Sequence, residues 1–289
     1  MFSNDGEGVL RMFNSEQKQL QVAQLKILKE IDKVCSEHNI TYWLAFGTAI
    51  GAVRHKGFIP WDDDIDLFMM ADDLEKLEQL QKFFPQNIFV QSRRTDPEYG
   101  LMITRVRDSN TTLIENTELN RDMNHGVFVD IYPLYNTPKE GKEHDRFYRN
   151  SLIARLLLYG KTPETHGAVM KLGSKIILTL TSKKFRKNQV ERIYKMMVNQ
   201  PETGYLAYAY GHTGKMVFPK EYFYPVVRVD FEDMKAPIPE NNDKLLTQIY
   251  GDYMKLPPEE KQVVHHDYRK VDCEHSYLMY KGTDYCLKG

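Results

Sequence analysis

The sequence predicts an α+β protein, a mixed-sheet core with an added helical subdomain, and three observations carry that reading. Residues 15–39 repeat apolar side chains at helical spacing. Several short segments rich in β-branched and aromatic residues follow between 42 and 134. Residues 144–199 then return to a helical pattern. With 289 residues the chain can bury a substantial core. Its 42% hydrophobic and 27% charged residues exclude a disordered or collagen-like protein. The 39 basic and 40 acidic side chains leave a net charge of -1, which argues against a coat for nucleic acid.

In the first helix Leu20, Ala23, Leu25, Ile27, Leu28, Ile31 and Val34 recur at helical spacing, with Ser15 as N-cap and His38-Asn39 as the stop. ITYWLAFGTAIGAV is an apolar run with two glycines. GFIPWDDDIDLFMM reads as a loop closed by Pro60 and a short strand alternating Asp64, Ile65, Asp66 and Leu67. Asp72 to Phe84 is a second helix, ended at Pro85. IFVQSRR, MITRVRD and TTLIEN are further strands, and GVFVDIYPL (126–134) is the clearest, closed by Pro133. The domain plan is therefore a core over 1–140, a basic helical insertion over 141–205, and a C-terminal part, 206–289, that completes the core. Cys35, Cys273 and Cys286 are too few and too scattered for a disulfide framework, which points to a reducing, cytoplasmic setting. MFSNDGEGVLRMF has no signal-peptide pattern, and the longest apolar stretches, Leu152–Tyr159 and Ile176–Leu180, fall short of a membrane span.

The chemistry concentrates in residues 46–69. If the strand begins early enough, Asp62, Asp64 and Asp66 share one face, while Trp61, Asp63, Ile65 and Leu67 point the other way. Carboxylates gathered in this way resist ionisation without a cation. Hard oxygen ligands of this kind suit Mg²⁺ or Mn²⁺ held jointly with substrate phosphates. The upstream Gly47-Thr48 turn suits a close approach to phosphates. Asp130, in an otherwise apolar strand, is the natural distal carboxylate, since a charge there is costly unless paired. The bland alternatives are a solvated acidic strand and a strand-end aspartate that accepts backbone hydrogen bonds.

At these residues the sequence resembles the LicD family of phosphotransferases, which includes phosphocholine transferases and fukutin-related ribitol-phosphate transferases. The resemblance rests on GTAIGAVRHKGFIPWDDDIDLFM (47–69), RVRDSNTT (105–112), GVFVDIYPLYNTP (126–138), FPKEYF (218–223) and IPENNDKLLTQIYGDYMKLPPEEK (238–261). It implies a nucleotidyltransferase-like fold of the polymerase-beta type. In such a fold Gly47 and Thr48 form the nucleotide phosphate turn, Asp64 and Asp66 are metal ligands, Asp62 is a further ligand and Asp130 the third carboxylate. Tyr135-Asn136 departs from the family pattern, where many relatives carry an aspartate. The implied reaction moves a phospho-alcohol from a CDP-linked donor, CDP-choline first, to a sugar hydroxyl of a glycan precursor of teichoic acid, lipopolysaccharide or capsule type, releasing CMP. Arg54, His55 and Lys56 are then placed to pair with the diphosphate. Arg105 and Arg107, two apart on one strand, either contact phosphate or salt-bridge to the aspartates.

The alternatives are another CDP-alcohol or phosphoethanolamine donor, a true nucleotidyltransferase releasing pyrophosphate, and a non-catalytic nucleotide or glycan binder. A choline headgroup calls for aromatic faces, for which Trp61, Trp43, Tyr42, Tyr132 and Tyr135 are candidates. His265, His266, Cys273, His275 and Cys286 match no zinc spacing and read as satisfied polar groups or a late contact that closes the site. Between Arg149 and Lys187 lie nine basic residues and one acidic residue, Glu164. There Val169, Leu172, Ile176, Ile177 and Leu180 line one helical side. That side either packs into the core beneath a solvated basic face or lies on the anionic lipid of the inner membrane face.

Overall fold

The computed structural model describes residues 6–161, 168–209, 216–264 and 266–287, and side chains outside 6–14 and 168–170. His265 and the side chain of Val169 lie outside the described residues. In chain order the elements begin with α1 (Gly6–Glu37), β1 (Tyr42–Leu44), α2 (Phe46–His55), β2 (Asp66–Met70), α3 (Ala71–Gln79), β3 (Ile88–Gln91), β4 (Thr104–Asp108), β5 (Thr112–Glu115) and β6 (Val127–Asn136). Three helices follow, α4 (Lys142–Tyr159), α5 (Ala168–Leu180) and α6 (Lys183–Val198). The chain continues with β7 (Tyr205–Tyr208), β8 (Phe218–Pro219), β9 (Val226–Phe231), β10 (Met234–Pro239), α7 (Asn242–Tyr250) and β11 (Tyr268–Asp272). The α+β expectation holds.

Among the described residues, seven strands form one mixed sheet with the path β1-β2-β6-β4-β3, and β7 and β8 extend it from β6. The β2–β6 pair is parallel, and β1, β4 and β7 join antiparallel. β6 runs on to Asn136, past Pro133, the residue at which the sequence suggests a stop. On that edge β4 pairs as far as Ile131 and β7 starts at Leu134, so the proline falls between the two ladders, where no antiparallel partner needs its missing N–H. Two separate antiparallel pairs, the β9–β10 hairpin and the long-range β5–β11 pair, complete the strands among the described residues. β7 and β11 thus return the C-terminal part to strands laid down before the helical segment.

α1 begins well before Ser15, which is therefore not its N-cap. Its apolar stripe, including Ile27, Leu28, Ile31 and Val34, packs on the sheet face carrying Leu67, Met69, Val106, Val129 and Ile131. α4 and α6 build a second cluster around Tyr135, Phe147 and Tyr194. The alternating residues of β2 and β6 face the other way: Phe68 and Leu134 join Trp43, Tyr208 and Phe218 in a third cluster. Asp66 and Asp130 belong to this second face, because side chains alternate along a strand.

The entry to β6 is tight. A Cβ on Gly126 would lie 2.1 Å from the Asp108 carbonyl oxygen, a backbone atom that cannot swing aside. Gly126→Ala should therefore cost on the order of 2 kcal/mol through overpacking, measured as a lower denaturant midpoint at unchanged slope. A wild-type midpoint would contradict this close approach.

Candidate active site

The site is a row of charged side chains across three strands. Asp66 and Asp130 are register partners in the parallel β2–β6 pair, and Arg105 is the partner of Asp130 across β4–β6. Arg105 Nε donates to Asp130 Oδ1 at 2.8 Å, and its Nη1 pairs with Glu115. The guanidinium also stacks 3.7 Å above the Phe128 ring. Arg107 is fully buried, donating to the Gly126 carbonyl at 2.6 Å and to Gln91, with Glu118 3.8 Å away. Arg105 therefore follows the salt-bridge alternative, whereas Arg107 reaches no aspartate and is committed to Gln91, the Gly126 carbonyl and Glu118. Burial raises Glu118 to about 7. Burial works the same way on Glu115, yet Arg105 holds it down to about 2.

β2 begins only at Asp66, so Asp62, Asp63 and Asp64 form a loop instead of an alternating strand. This corrects the placement of Asp63 on the opposite side: one oxygen from each of the three carboxyl groups lies within 4.8 Å of the others. The loop is held from α1. Gln17 and Gln21 each donate to the Asp62 carbonyl, at 3.0 and 2.9 Å, and Gln24 donates to the Asp63 carbonyl at 2.8 Å. The Gln17, Gln21, Gln24 spacing places three amides on one helical stripe. That spacing is the sequence signal for their role, and it is overlooked when only the apolar stripe is read.

The start of α2 supplies the neighbouring wall. Thr48 Oγ1 accepts the Asp66 N–H at 2.9 Å and ties the helix to the first residue of β2. Gly47 and Thr48 are the first turn of this helix, where backbone N–H groups lack helical acceptors. A Cβ on Gly47 would sit 3.0 Å from Asp62 Oδ2, so glycine lets that carboxylate approach. Phe46 enters the helix at φ 45° and is wedged against Phe68, Tyr132 and Tyr208, with ring centroids 4.8, 5.1 and 5.0 Å away. Arg54, His55 and Lys56 stand at the opposite end of α2. Arg54 Nη1 donates to the Tyr253 carbonyl at 2.7 Å, and Lys56 is the left-handed C-cap. The structure thus separates this basic trio from the Gly47-Thr48 turn by most of the helix length.

Like charge dominates the electrostatics. Burial, then Asp64 and Asp63, push Asp62 up to about 8, and burial with Asp63 and Asp130 brings Asp64 to about 6 despite His266. Burial, Asp64 and Asp130 lift Asp66 well above its ordinary value. Burial also raises Asp130, against the pull of Arg105. Asp62 Oδ2 and Asp66 Oδ1 are buried without a hydrogen-bond partner. Acidic oxygens left unsatisfied beside further carboxylates fit a divalent cation, which Asp62, Asp64, Asp66 and Asp130 would hold.

The C-terminal segment closes one side. His266 Nδ1 lies 3.1 Å from both Asp63 carboxylate oxygens, the His266 backbone N–H donates to Asp63 Oδ2 at 3.3 Å, and Nε2 is 3.7 Å from Asp64 Oδ2. Burial opposes protonation of this ring, but Asp63 and Asp64 raise it to about 9. Tyr268 and Tyr250 also reach the site and have no counterpart in the sequence reading. The Tyr268 hydroxyl donates to the Asp63 carbonyl at 3.5 Å, and the phenol of Tyr250, at the end of α7, is held up by burial and the charges of Asp66, Asp62 and Asp64. His275 instead pairs with Asp272 at 3.0 Å, and the three cysteines are free. Of the aromatic candidates, Trp43, Tyr42 and Tyr135 are buried in the packing, whereas Trp61 and Tyr132 are half-buried.

A family model described as LicD/FKTN/FKRP, nucleotidyltransferase domain, matches residues 39–153. The chain is 31% identical over 260 residues to the lipopolysaccharide cholinephosphotransferase LicD of Haemophilus influenzae, covering 86% of this chain and 95% of that protein. It is 28% identical over 102 residues to the human ribitol 5-phosphate transferase FKRP, 35% of this chain and 18% of that one. An uncharacterized protein of Rickettsia typhi is 42% identical over 72 residues, 25% of this chain and 23% of that protein.

The acidic row sets a pH dependence for the protein stripped of divalent cations. The Asp62 carboxyl titrates near 3.8 when unfolded and near 8 when folded, so the folded state binds more protons between these values and stability falls as pH rises through that window. The His266 contribution has the same sign, being complete below 6.5 and lost as pH passes 9. Thermal unfolding in chelator should show a melting temperature that declines across this range, with a shallower decline in Asp62→Asn. A flat or rising wild-type profile would contradict the buried like-charge arrangement.

Proposed function

Because the chain belongs to the LicD family and is a phosphotransferase, we propose that it transfers phosphocholine from CDP-choline to a sugar hydroxyl of a cell-surface glycan precursor. Lipopolysaccharide is the favoured acceptor class, and the reaction runs on the cytoplasmic side, where nucleotide-activated donors are made. The observation that carries this reading is the Asp66–Asp130 register pair, with Asp62 and Asp64 beside it, at the first turn of α2. A divalent cation, Mg²⁺ or Mn²⁺, held by these four carboxylates would neutralise the donor diphosphate.

The chain's own groups account for the remaining requirements. The first-turn N–H groups of α2 offer donors to phosphate oxygens. The acceptor oxygen attacks the phosphorus that bears choline, and the bond from that phosphorus to the bridging oxygen breaks. CMP departs with the bridging oxygen. Asp64 is the only one of the four carboxylates that is not fully buried, which suits it to take the proton from the acceptor hydroxyl. Arg105 fixes the direction of Asp130 and opposes the rise that burial imposes on its carboxyl. Half-buried Trp61 and Tyr132 are the aromatic faces that remain for a quaternary ammonium. The ribitol 5-phosphate transferase relative keeps other CDP-alcohols in view as donors.

Incubation with Mg²⁺, a panel of CDP-alcohols and a glycan acceptor should yield CMP, with choline the preferred group. Asp66→Asn and Asp130→Asn should each lower the rate by roughly 10³-fold while the protein stays folded. Release of pyrophosphate from a nucleoside triphosphate would favour a nucleotidyltransferase instead, and no CMP from any donor with folded protein would overturn the proposal. Trp61→Ala should raise KM for CDP-choline by about tenfold. An unchanged value would remove Trp61 from the donor site.

A further inference from the structure

The amphipathic helix of the basic insertion faces outward. Among the described side chains of α5, Ser174 is the buried one, 4% exposed, while Leu172 is 62%, Ile176 49% and Leu180 80% exposed. This overturns the expectation that the apolar side packs into the core. At about 100° per residue these three leucine and isoleucine side chains fall within one stripe roughly 80° wide, with exposed Ile177 at its margin. Lys171 and Lys175 are exposed along one edge of that stripe.

The cationic character continues past the helix. Ser182 Oγ accepts the Phe185 N–H at 3.2 Å and caps α6, whose first turn leaves Lys183, Lys184 and Phe185 exposed. Lys183 has a single ion pair, to Glu98 at 3.6 Å, on a side chain 82% exposed. α5 itself contains no Asp or Glu. A contiguous apolar stripe on a soluble surface marks a place of contact. Cations along its edge, with no carboxylate on α5 itself and only Glu98 beside Lys183, match an anionic lipid headgroup layer above an acyl boundary. A helix of 13 residues is about 20 Å long, too short to cross a bilayer, and among the described residues no helix is long and apolar enough to do so. It therefore suits a position in the plane of the interface.

We propose that α5 and the first turn of α6 form a peripheral docking surface for an anionic bilayer. Leu172, Ile176 and Leu180 enter the acyl boundary, and Lys171, Lys175, Lys183 and Lys184 face lipid phosphates. The surface is distinct from the carboxylate site, and its test needs neither donor nor acceptor.

The full chain is sedimented with phosphatidylcholine vesicles, with and without phosphatidylglycerol, over a range of salt. Partition into the anionic vesicles, weakened by salt, is expected. The combined Leu172→Ser, Ile176→Ser, Leu180→Ser variant should bind at least about tenfold more weakly, and Lys171→Gln with Lys175→Gln should lose roughly fivefold per lysine. These side chains are exposed, so both variants should keep the wild-type melting curve. In Leu180→Trp, the emission added by the new indole should shift to the blue on anionic vesicles and be quenched by brominated lipid. Absent partition, equal partition into neutral and anionic vesicles, or undiminished binding by the triple serine variant would each overturn the proposal. So would a lipid-free dimer that the same variant dissolves, since the stripe would then serve a second copy of the chain.

Discussion

Several carboxylates placed side by side in a buried pocket repel one another, and the rest of this architecture is arranged around that cost. Asp66 and Asp130 face each other in register, with Asp62 and Asp64 alongside, and the desolvation of each is compounded by the charge of the next. Partial compensation comes from two sides. Arg105 pairs with Asp130 from the neighbouring strand, and His266 reaches Asp63 and Asp64 from the C-terminal segment. Asp62 Oδ2 and Asp66 Oδ1 still lack partners, and that residual deficit is what a cation or a bound substrate would resolve.

Holding such a site open requires supports that are themselves well anchored. The acidic loop does not rely on its own turn geometry, because three glutamine amides from α1 grip its carbonyls. α1 is fixed in turn by the apolar stripe it buries on the sheet. Behind Asp130, Arg105 is oriented by Glu115, Glu118 and the Phe128 ring, and Arg107 by Gln91, Glu118 and the Gly126 carbonyl. A largely buried charge network of this kind stabilises little on balance, since desolvation offsets the attraction. Its value here is directional, because it leaves Asp130 a single orientation.

The two faces of the sheet divide the labour. Leu67, Met69, Val129 and Ile131 bind it to α1, and the intervening residues carry the charged row and an aromatic cluster. Phe46 joins the two, packing with Phe68, Tyr132 and Tyr208 while it starts the helix whose first turn borders Asp62. The helical insertion is joined to this plan through α4 and α6, which pack around Tyr194 onto Tyr135 of β6, whereas α5 leaves its apolar stripe outside.

Local pattern carried a large share of this. The mixed α+β class, the strand with Asp130, the helix over 15–39 and the gathering of Asp62, Asp64 and Asp66 were legible, because periodicity and charge spacing are properties of neighbours along the chain. The same locality misplaced Asp63 and the start of β2: strand alternation was extended into residues 62–64, whose conformation is set by contacts from α1 more than 38 positions away. Arg105 and Arg107 looked alike as two basic residues on one strand face. Their separate commitments to Asp130 and to the Gly126 carbonyl depend on which strands lie on either side. Whether the apolar side of α5 turned inward or outward was likewise beyond periodicity, which reports that a helix has two faces and is silent on which of them meets the fold.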